Sequence, residues 1–342
     1  MRKVKSLLSI MVAIFLLAGM LAGCGDTKPG SGDIANAEPK TNADTQAKSE
    51  IAEETKPKIA VVLKSLDNPY WQLMKESIIA YSKEKGFDVD VFAPKTSDDL
   101  NGQLEIIESA LVKDYDGIGI SPLTGVNAIS GVVKANEEGI PVVDIDERFD
   151  MKELEKVGGK IVGYVTSDNK AIGKLGAEYI IEKLGSTGGD VAIIEGKSGG
   201  DANEDRKAGA IEAFEKAGNI KVVAVQPADW DRVKALDVAT NILQSNPNIK
   251  AFYCCNDNMA LGARTAAENA GKEKEILIVG TDGVPEALDS VNAGKLTATV
   301  AQDPAGIGNK CMDILLDAIK NKKSGVSGDP IFTTIDAKVI SK

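Results

Sequence analysis

The sequence predicts an α/β protein with two lobes, each built on a doubly wound parallel sheet. Short apolar runs alternate with segments of helical periodicity from Lys58 almost to the C-terminus, which is typical of parallel sheets covered by helices. About ten such runs occur, more than one open sheet holds comfortably. The length of 342 residues also suits about two domains.

The first predicted strand, residues 59–63, is apolar at every position, as in a strand buried on both faces. Residues 68–85 follow as a predicted helix, because large apolar side chains recur at spacings of three and four. Further strands are predicted at residues 89–92, 117–120, 142–145, 161–164, 191–194, 222–225, 251–254, 276–279 and 298–301.

The N-terminus predicts secretion and a lipid anchor. A basic start precedes an apolar run at residues 7–17, which is short for a membrane span and typical of a signal peptide. Leu21-Ala22-Gly23-Cys24 resembles a bacterial lipoprotein box, which implies cleavage before Cys24 and a lipid on that cysteine. The alternative is an uncleaved anchor with an incidental cysteine. Residues 25–55 contain no aromatic side chain and predict a flexible tether.

Composition excludes several function classes. The formal net charge of −11 argues against a nucleic-acid partner, because phosphate binding needs concentrated Lys and Arg. The absence of histidine removes Ser-His-Asp and Cys-His catalysis and the commonest metal ligand. Adjacent Cys254 and Cys255 could form a vicinal disulfide or could be two small buried residues at a strand end.

The sequence contains no complete motif for a bound nucleotide or dinucleotide. Gly196-Lys197-Ser198 looks like the end of a phosphate-binding loop, but the required first glycine is replaced by Val191. No G-x-G-x-x-G follows a strand, so a dinucleotide site has no support. Asp144 and Asp146 could form a glycosidase-like carboxylate pair, although binding of ligand hydroxyls is at least as natural at a strand end. We therefore predict no catalytic residue, cofactor or metal.

Polar and aromatic residues follow the predicted strands of both lobes, at the edge where parallel sheets bind ligands. Carboxylates, amides and guanidinium groups can bracket sugar hydroxyls, which both donate and accept hydrogen bonds, while aromatic faces cover the C–H patches of the ring. The predicted sugar-binding residues are Lys64, Asn68, Tyr70, Trp71, Asp146, Glu147, Arg206, Trp230, Asn256, Asp282 and Gln302.

Several of these residues also have an alternative interpretation as structural residues. Tyr70 or Trp71 alone would more often lie in a core. Asp282 could simply form a turn, Arg206 could lie on a solvated helix face, and Asn256 could cap a helix. The recurrence of such residues at strand ends favours a binding site.

At these positions the chain resembles periplasmic sugar-binding proteins of the ribose/allose cluster. The resemblance runs from about Lys58 to the C-terminus and rests on five motifs: Lys64-Ser65-Leu66-Asp67-Asn68-Pro69-Tyr70-Trp71, Gln226-Pro227-Ala228-Asp229-Trp230-Asp231-Arg232, Cys255-Asn256-Asp257, Gly280-Thr281-Asp282-Gly283 and Ala301-Gln302-Asp303-Pro304. It implies the type I periplasmic binding protein fold, with two Rossmann-like lobes and three crossing segments. The implied N-terminal lobe is 57–166 plus 303–334, and the implied C-terminal lobe is 167–302 plus 335–342.

The family resemblance also implies a function. Nine of the predicted residues match family sugar contacts, whereas Lys64 stands where ribose binders tend to have serine and Glu147 where they have arginine. Both departures favour an allose-like ligand over ribose, and Ser121 is expected to add a smaller contact. We expect a monomeric, lipid-anchored carrier that closes around a monosaccharide and delivers it to a membrane ABC permease.

Two other functions stay open at this stage. A sensory protein of this fold would present its ligand to a membrane receptor or sensor kinase. A secreted carbohydrate-active enzyme would need catalytic motifs that the chain lacks. LacI-type repressors share the implied fold, but a signal peptide stands where their DNA-binding headpiece would be.

Overall fold

The computed structural model describes residues 56–321 and 330–342, and these residues form two lobes, each around a six-stranded sheet. The predicted signal peptide, Cys24 and the predicted tether of residues 25–55 lie outside the described residues. No helix within the described ranges combines the length and apolarity that a membrane span needs.

The N-terminal lobe has a sheet in which every strand pair is parallel, with strand order β11-β5-β4-β3-β1-β2. Its strands are β1 (Lys58–Val62), β2 (Asp88–Phe92), β3 (Gly117–Ile120), β4 (Val142–Ile145), β5 (Gly163–Ser167) and β11 (Ile331–Ile335). Its helices are α1 (Pro69–Lys85), α2 (Leu100–Leu111), α3 (Ile129–Glu137), α4 (Met151–Lys156) and α10 (Pro304–Lys320).

The C-terminal lobe repeats this plan with strand order β12-β10-β9-β8-β6-β7, and only the edge strand β12 runs antiparallel to its neighbour. Its strands are β6 (Gly189–Glu195), β7 (Ile220–Pro227), β8 (Ala251–Cys254), β9 (Leu277–Asp282), β10 (Ala298–Ala301) and β12 (Lys338–Ser341). Its helices are α5 (Asn169–Leu184), α6 (Asp201–Ala217), α7 (Arg232–Ser245), α8 (Asp257–Asn269) and α9 (Pro285–Asn292).

Strand β1 shows why the apolar runs are continuous. Ile59 and Val61 lie in one hydrophobic cluster, whereas Ala60 and Val62 lie in a second cluster on the opposite face of the sheet. All four side chains are fully buried. Because successive side chains of a strand point to opposite faces, a sheet covered on both sides needs an apolar residue at each position. The predicted α/β class is therefore confirmed.

The ten predicted strands all overlap observed strands, with two differences of detail. The strand predicted at 161–164 is observed as β5, which starts at Gly163, where pairing with Val143 begins. Ile161 is buried in the loop before it, so its apolar character reflects core packing. Strands β11 and β12 are not predicted by the sequence; neither contains a buried residue, and β11 exposes Ile331 and Phe332.

The chain passes between the lobes at three places. β5 of the N-terminal sheet leads into α5, which packs on the C-terminal sheet. β10 of the C-terminal sheet leads into α10, which packs on β3, β4 and β5 of the N-terminal sheet. β11 and β12 lie in different sheets and are joined by two residues, Asp336 and Ala337. The two sheets are thus connected only through short segments in the described part of the chain.

Candidate functional site

A cavity of about 400 Å³ lies between the two lobes, at the carboxyl ends of their strands. All eleven residues named from the sequence line it: Lys64, Asn68, Tyr70, Trp71, Asp146, Glu147, Arg206, Trp230, Asn256, Asp282 and Gln302. Within each sheet the parallel strands place their carboxyl ends at one edge, and residues that follow strands of both sheets line the cavity. The structure therefore brings together residues up to 238 positions apart in sequence, from Lys64 to Gln302.

Lys64 and Glu147 form an ion pair in the N-terminal wall of the cavity. Lys64 Nζ lies 2.9 Å from Glu147 Oε1, and the two side chains are only 13% and 14% exposed. Lys64 follows β1 and Glu147 follows β4. The two departures from the ribose-binder pattern are thus partners, each compensating the charge of the other in a largely buried position.

The start of α1 places two aromatic rings against the cavity. Asn68 caps the helix, since its side-chain oxygen accepts a hydrogen bond from the Tyr70 amide at 3.0 Å. This leaves the Asn68 amide nitrogen as a donor for a ligand. The rings of Tyr70 and Trp71 meet edge to face at 5.1 Å. Both rings are buried in the core cluster and also line the cavity. They can therefore stabilise the core and contact a ligand at the same time.

Asp146 is held mainly through its backbone. Its carbonyl oxygen accepts hydrogen bonds from the Thr166 hydroxyl at 2.7 Å and the Tyr164 hydroxyl at 3.1 Å. Its carboxylate has a long 3.5 Å contact from the same Thr166 hydroxyl and lies near the Tyr70 hydroxyl. Burial and then the charge of Glu147 raise the pKa of Asp146 to about 7. The carboxylate thus keeps acceptor capacity for a ligand.

The opposite wall contains a buried network around Arg206. The guanidinium donates to the Asn169 side chain and to the Cys255 carbonyl, each at 2.8 Å, and lies 3.4 Å from Asp282 Oδ1. Gln302 Nε2 also donates to Asp282 Oδ1, at 2.8 Å. Burial raises the pKa of Asp282 to about 6, although the charge of Arg206 and the hydrogen bond from Gln302 act to lower it. Arg206 therefore does not lie on a solvated helix face.

Trp230 forms the aromatic part of this wall. The Arg206 guanidinium lies 5.8 Å from the centre of its ring, a cation–π distance. A Cβ atom at Gly196 would lie 2.2 Å from the ring, so glycine at this strand end makes room for the indole. Asn256 caps α8 through a 2.9 Å bond from the Met259 amide, and its amide nitrogen lies 3.5 Å from the Trp230 carbonyl.

Backbone strain is concentrated at this cavity. In the described ranges, the non-glycine residues with positive φ are Asp146 (65°), Asp229 (52°), Trp230 (66°) and Asp282 (119°), and all four line it. Such conformations cost about 1–3 kcal/mol each and persist where the surrounding structure enforces them. Their clustering marks this cavity as the functional site.

Some cavity residues were not predicted. They include Ser97 and Leu123, which follow β2 and β3, and Lys197, Asp229 and Arg232 near the C-terminal strands. The rule that ligands collect beyond strand ends could have indicated Ser97 and Leu123. Asn169 also follows a strand, β5, but its bond to Arg206 is a tertiary contact that the position of a strand end does not indicate.

Two expectations from the sequence are corrected. Ser121 does not line the cavity; its hydroxyl is buried and has no hydrogen-bond partner among the described residues. Asp144 does not pair with Asp146 on the cavity side, because it is fully buried and accepts a 2.9 Å bond from the Phe149 amide. The positive φ of Asp146 breaks the alternation that would place both carboxylates on one face.

Cys254 and Cys255 are buried free thiols.

Two buried polar atoms of the cavity residues lack a well-formed hydrogen bond among the described residues. Gln302 Oε1 makes no hydrogen bond with any described residue, and the Tyr70 hydroxyl lies near the Asp146 carboxylate without a well-formed hydrogen bond. A buried polar group without a partner costs about 1–3 kcal/mol, and these two atoms belong to opposite lobes. Together with the carboxylates of Asp146 and Asp282, they give the cavity unmet hydrogen-bonding capacity on both sides.

These features define a class of protein: a two-lobed receptor that encloses a small polar ligand between its lobes. Residues 59–323 match the model of the periplasmic binding protein domain. The chain belongs to the periplasmic binding protein family.

Individual relatives share most of the chain. It is 50% identical to the D-allose-binding periplasmic protein of Escherichia coli K12, over 83% of this chain and 91% of that protein. It is 36% identical to a ribose import binding protein of Bacillus subtilis 168, over 78% of this chain and 82% of that one. A solved ABC transporter periplasmic solute-binding protein from Actinobacillus succinogenes 130z, with bound D-allose, is 37% identical with a TM-score of 0.79 and covers 84% of this chain and 98% of that one. These names describe binding proteins and not enzymes.

Proposed function

We propose that this protein binds D-allose or a similar aldose and delivers it to an ABC sugar importer. The observation that carries the proposal is the set of carboxylates, amides, arginine and tryptophans that line one cavity from both lobes. Each hydroxyl of an aldose donates and accepts a hydrogen bond, which suits the free acceptors of Asp146, Asp282 and Gln302 and the donor of Asn68. Trp71 and Trp230 supply apolar faces for the ring.

The preference for an allose-like sugar rests on the Lys64–Glu147 pair and on the relatives. An ion pair that is nearly enclosed presents both a strong donor and a strong acceptor to a ligand hydroxyl. A sugar that places no hydroxyl there would leave these groups unmatched, at a cost of about 1–3 kcal/mol. Half of the aligned residues are also identical to those of a protein named for D-allose.

Binding is proposed to occur by closure of the two lobes. The lobe boundaries we propose are 57–166 plus 303–334 and 167–302 plus 335–342, with the three connections acting as the hinge. Two ion pairs cross between the lobes: Arg148 with Asp201 at 3.0 Å, and Lys197 with Asp98. A ligand that contacts both lobes favours the closed state, because only that state makes all the contacts.

The chain's own tryptophans test the proposal. The sequence contains only Trp71 and Trp230, and both line the cavity. Adding D-allose is expected to change the tryptophan emission with a saturating dependence on concentration. The variants Trp71→Phe and Trp230→Phe should each remove part of that change. Constant emission, together with unchanged thermal stability, would count against the proposal.

Gly196→Ala is expected to weaken sugar binding about tenfold with little loss of stability, because the added Cβ would displace the Trp230 ring from its place in the wall. Titration with D-allose measures the affinity, and thermal unfolding measures stability. In a Trp230→Phe background the smaller ring leaves room, so the same substitution should then have a smaller effect. An equal effect in both backgrounds would contradict the steric explanation.

The proposed lipid anchor is tested at Cys24. With Cys24→Ala we expect the protein to leave the membrane fraction and to bind D-allose with unchanged affinity, since the predicted tether separates Cys24 from the residues that line the cavity. Membrane fractionation and titration of the released protein measure the two effects. Retention of the variant on the membrane would favour an uncleaved anchor.

A further inference from the structure

Asp257 is a fully buried carboxylate that lies next to the cavity without lining it. It is the first residue of α8. One of its oxygens accepts hydrogen bonds from the Gly283 amide at 2.7 Å and the Val284 amide at 2.9 Å. The other accepts a 2.7 Å bond from the Thr299 hydroxyl. The two amides belong to the turn that follows β9, and Thr299 belongs to β10. The Thr299 hydroxyl also accepts a 3.2 Å bond from the Gly283 amide.

The two amides belong to the residues immediately after Asp282. Asp282 has φ of 119°, a region that favours glycine, and such a conformation persists only where neighbouring contacts enforce it. The backbone amide of Gln302 donates to the Asp282 carbonyl at 3.0 Å. The Asp257 carboxylate accepts from the next two backbone amides, those of Gly283 and Val284. Asp257 therefore anchors the side of the turn that Gln302 does not reach.

Gly280 allows this close approach. A Cβ atom at Gly280 would lie 2.2 Å from Asp257 Oδ1, so a larger residue would push the carboxylate away from β9. The glycine in the Gly280-Thr281-Asp282-Gly283 motif thus serves the buried carboxylate. Burial and then the charge of Asp282 raise the pKa of Asp257, which makes a neutral amide a suitable replacement.

We propose that Asp257 is a positioning residue: it holds the turn that aims the Asp282 carboxylate into the cavity. This inference rests on the proposed function, since it assigns Asp282 to ligand binding. Asp257 itself makes no contact with the ligand. Its effect on affinity arises because a mispositioned carboxylate loses hydrogen bonds that depend on direction.

Three variants separate positioning from simple stability. Asp257→Ala removes the acceptor of the Val284 amide and the nearer of the two acceptors of the Gly283 amide. It is expected to lower D-allose affinity about 10- to 100-fold. Asp257→Asn keeps an acceptor for the amides and can donate to Thr299, so its affinity should stay within about threefold of the wild type. Leu243→Ala, in the core at the far end of α7, should lower the melting temperature without changing affinity.

A readout in the sugar-free protein keeps this inference distinct from the proposed function. Hydrogen exchange at the Val284 amide should accelerate at least tenfold in Asp257→Ala, with a smaller increase at the Gly283 amide, which keeps the Thr299 hydroxyl as an acceptor at 3.2 Å. Exchange at both amides should stay slow in Asp257→Asn. If the wild type bound no aldose, the proposed function would be wrong. Hydrogen exchange in the sugar-free protein would still show whether Asp257 holds the turn after β9. If Asp257→Ala does not fold, Thr299→Val should lower affinity several-fold by releasing Asp257.

The positioning role is overturned by any of three results. The first is wild-type affinity in Asp257→Ala, or in Thr299→Val if the alanine variant does not fold. The second is a loss in Asp257→Asn equal to that in Asp257→Ala. The third is unchanged exchange of the two amides in Asp257→Ala.

Discussion

Replacing Arg206 by methionine is expected to lower the affinity for D-allose at least about 100-fold and to destabilise the protein. The guanidinium is buried, holds the Asn169 side chain and the Cys255 carbonyl, and faces Asp282. Its removal leaves Asp282 as a buried charge without its cation, which costs about 3–5 kcal/mol in stability. Calorimetric titration and chemical denaturation measure the two losses.

Arg264→Met is the matched control. Arg264 lies in the same lobe and also bonds a carboxylate and a backbone carbonyl, Glu268 and Glu273 respectively, but it does not line the cavity. We expect this variant to lose some stability and to keep its affinity. An equal loss of affinity in both variants would show that Arg206 acts through general stability and not through the site.

Replacing Asp146 by asparagine is expected to have opposite effects on affinity and on stability. At pH 8 the affinity should fall about 10- to 100-fold, because the charged acceptor of the N-terminal wall is lost. The sugar-free protein should become more stable, because burial and the charge of Glu147 disfavour the ionised Asp146 more than the nearby Tyr70 hydroxyl and the long bond from Thr166 favour it. A variant that binds worse and melts higher identifies a residue kept for function.

The pH dependence of this effect has a defined sign. Because burial raises the folded-state pKa of Asp146 to about 7, its stabilising contribution is complete below the pKa of an unfolded aspartate, about 3.9, and is lost as pH rises through about 7. The gain in stability of Asp146→Asn should therefore be large at pH 8 and small near pH 4. Sugar hydroxyls donate to the carboxylate, so wild-type affinity should rise between pH 5.5 and 8.

Asp205→Asn provides the comparison for both measurements. Burial also raises the pKa of Asp205, but this carboxylate lies on a second cavity and not on the proposed sugar site. Its replacement should leave affinity and the pH profile of binding unchanged. If Asp146→Asn kept wild-type affinity at pH 8, Asp146 would be removed from the proposed set of ligand contacts.

The position of the cavity could be predicted from local sequence patterns. A continuous apolar run such as residues 59–63 indicates a strand in a covered sheet, and the polar residues that follow it must lie at the carboxyl edge. Residues as distant as Lys64 and Gln302 both follow predicted strands, and both line the cavity.

The contacts themselves could not be predicted in the same way. Lys64 and Glu147 appeared as two unrelated departures from a pattern, and only the loop conformations after β1 and β4 bring their charges to 2.9 Å. The positive φ of Asp146 turns its side chain away from the face it would share with Asp144. Such backbone conformations are imposed by tertiary contacts. The apolar pattern of a strand does not indicate these contacts.

Isothermal titration calorimetry of the mature protein with D-allose, D-glucose, D-altrose and D-ribose tests the central claim most directly. D-Glucose and D-altrose each invert one hydroxyl of D-allose, and each inversion should leave a buried polar group unpaired at a cost of about 1–3 kcal/mol. We predict one site per chain, tightest binding for D-allose, and at least about tenfold weaker binding for the other three. Absence of heat with all four sugars would contradict the proposal that this cavity binds an aldose.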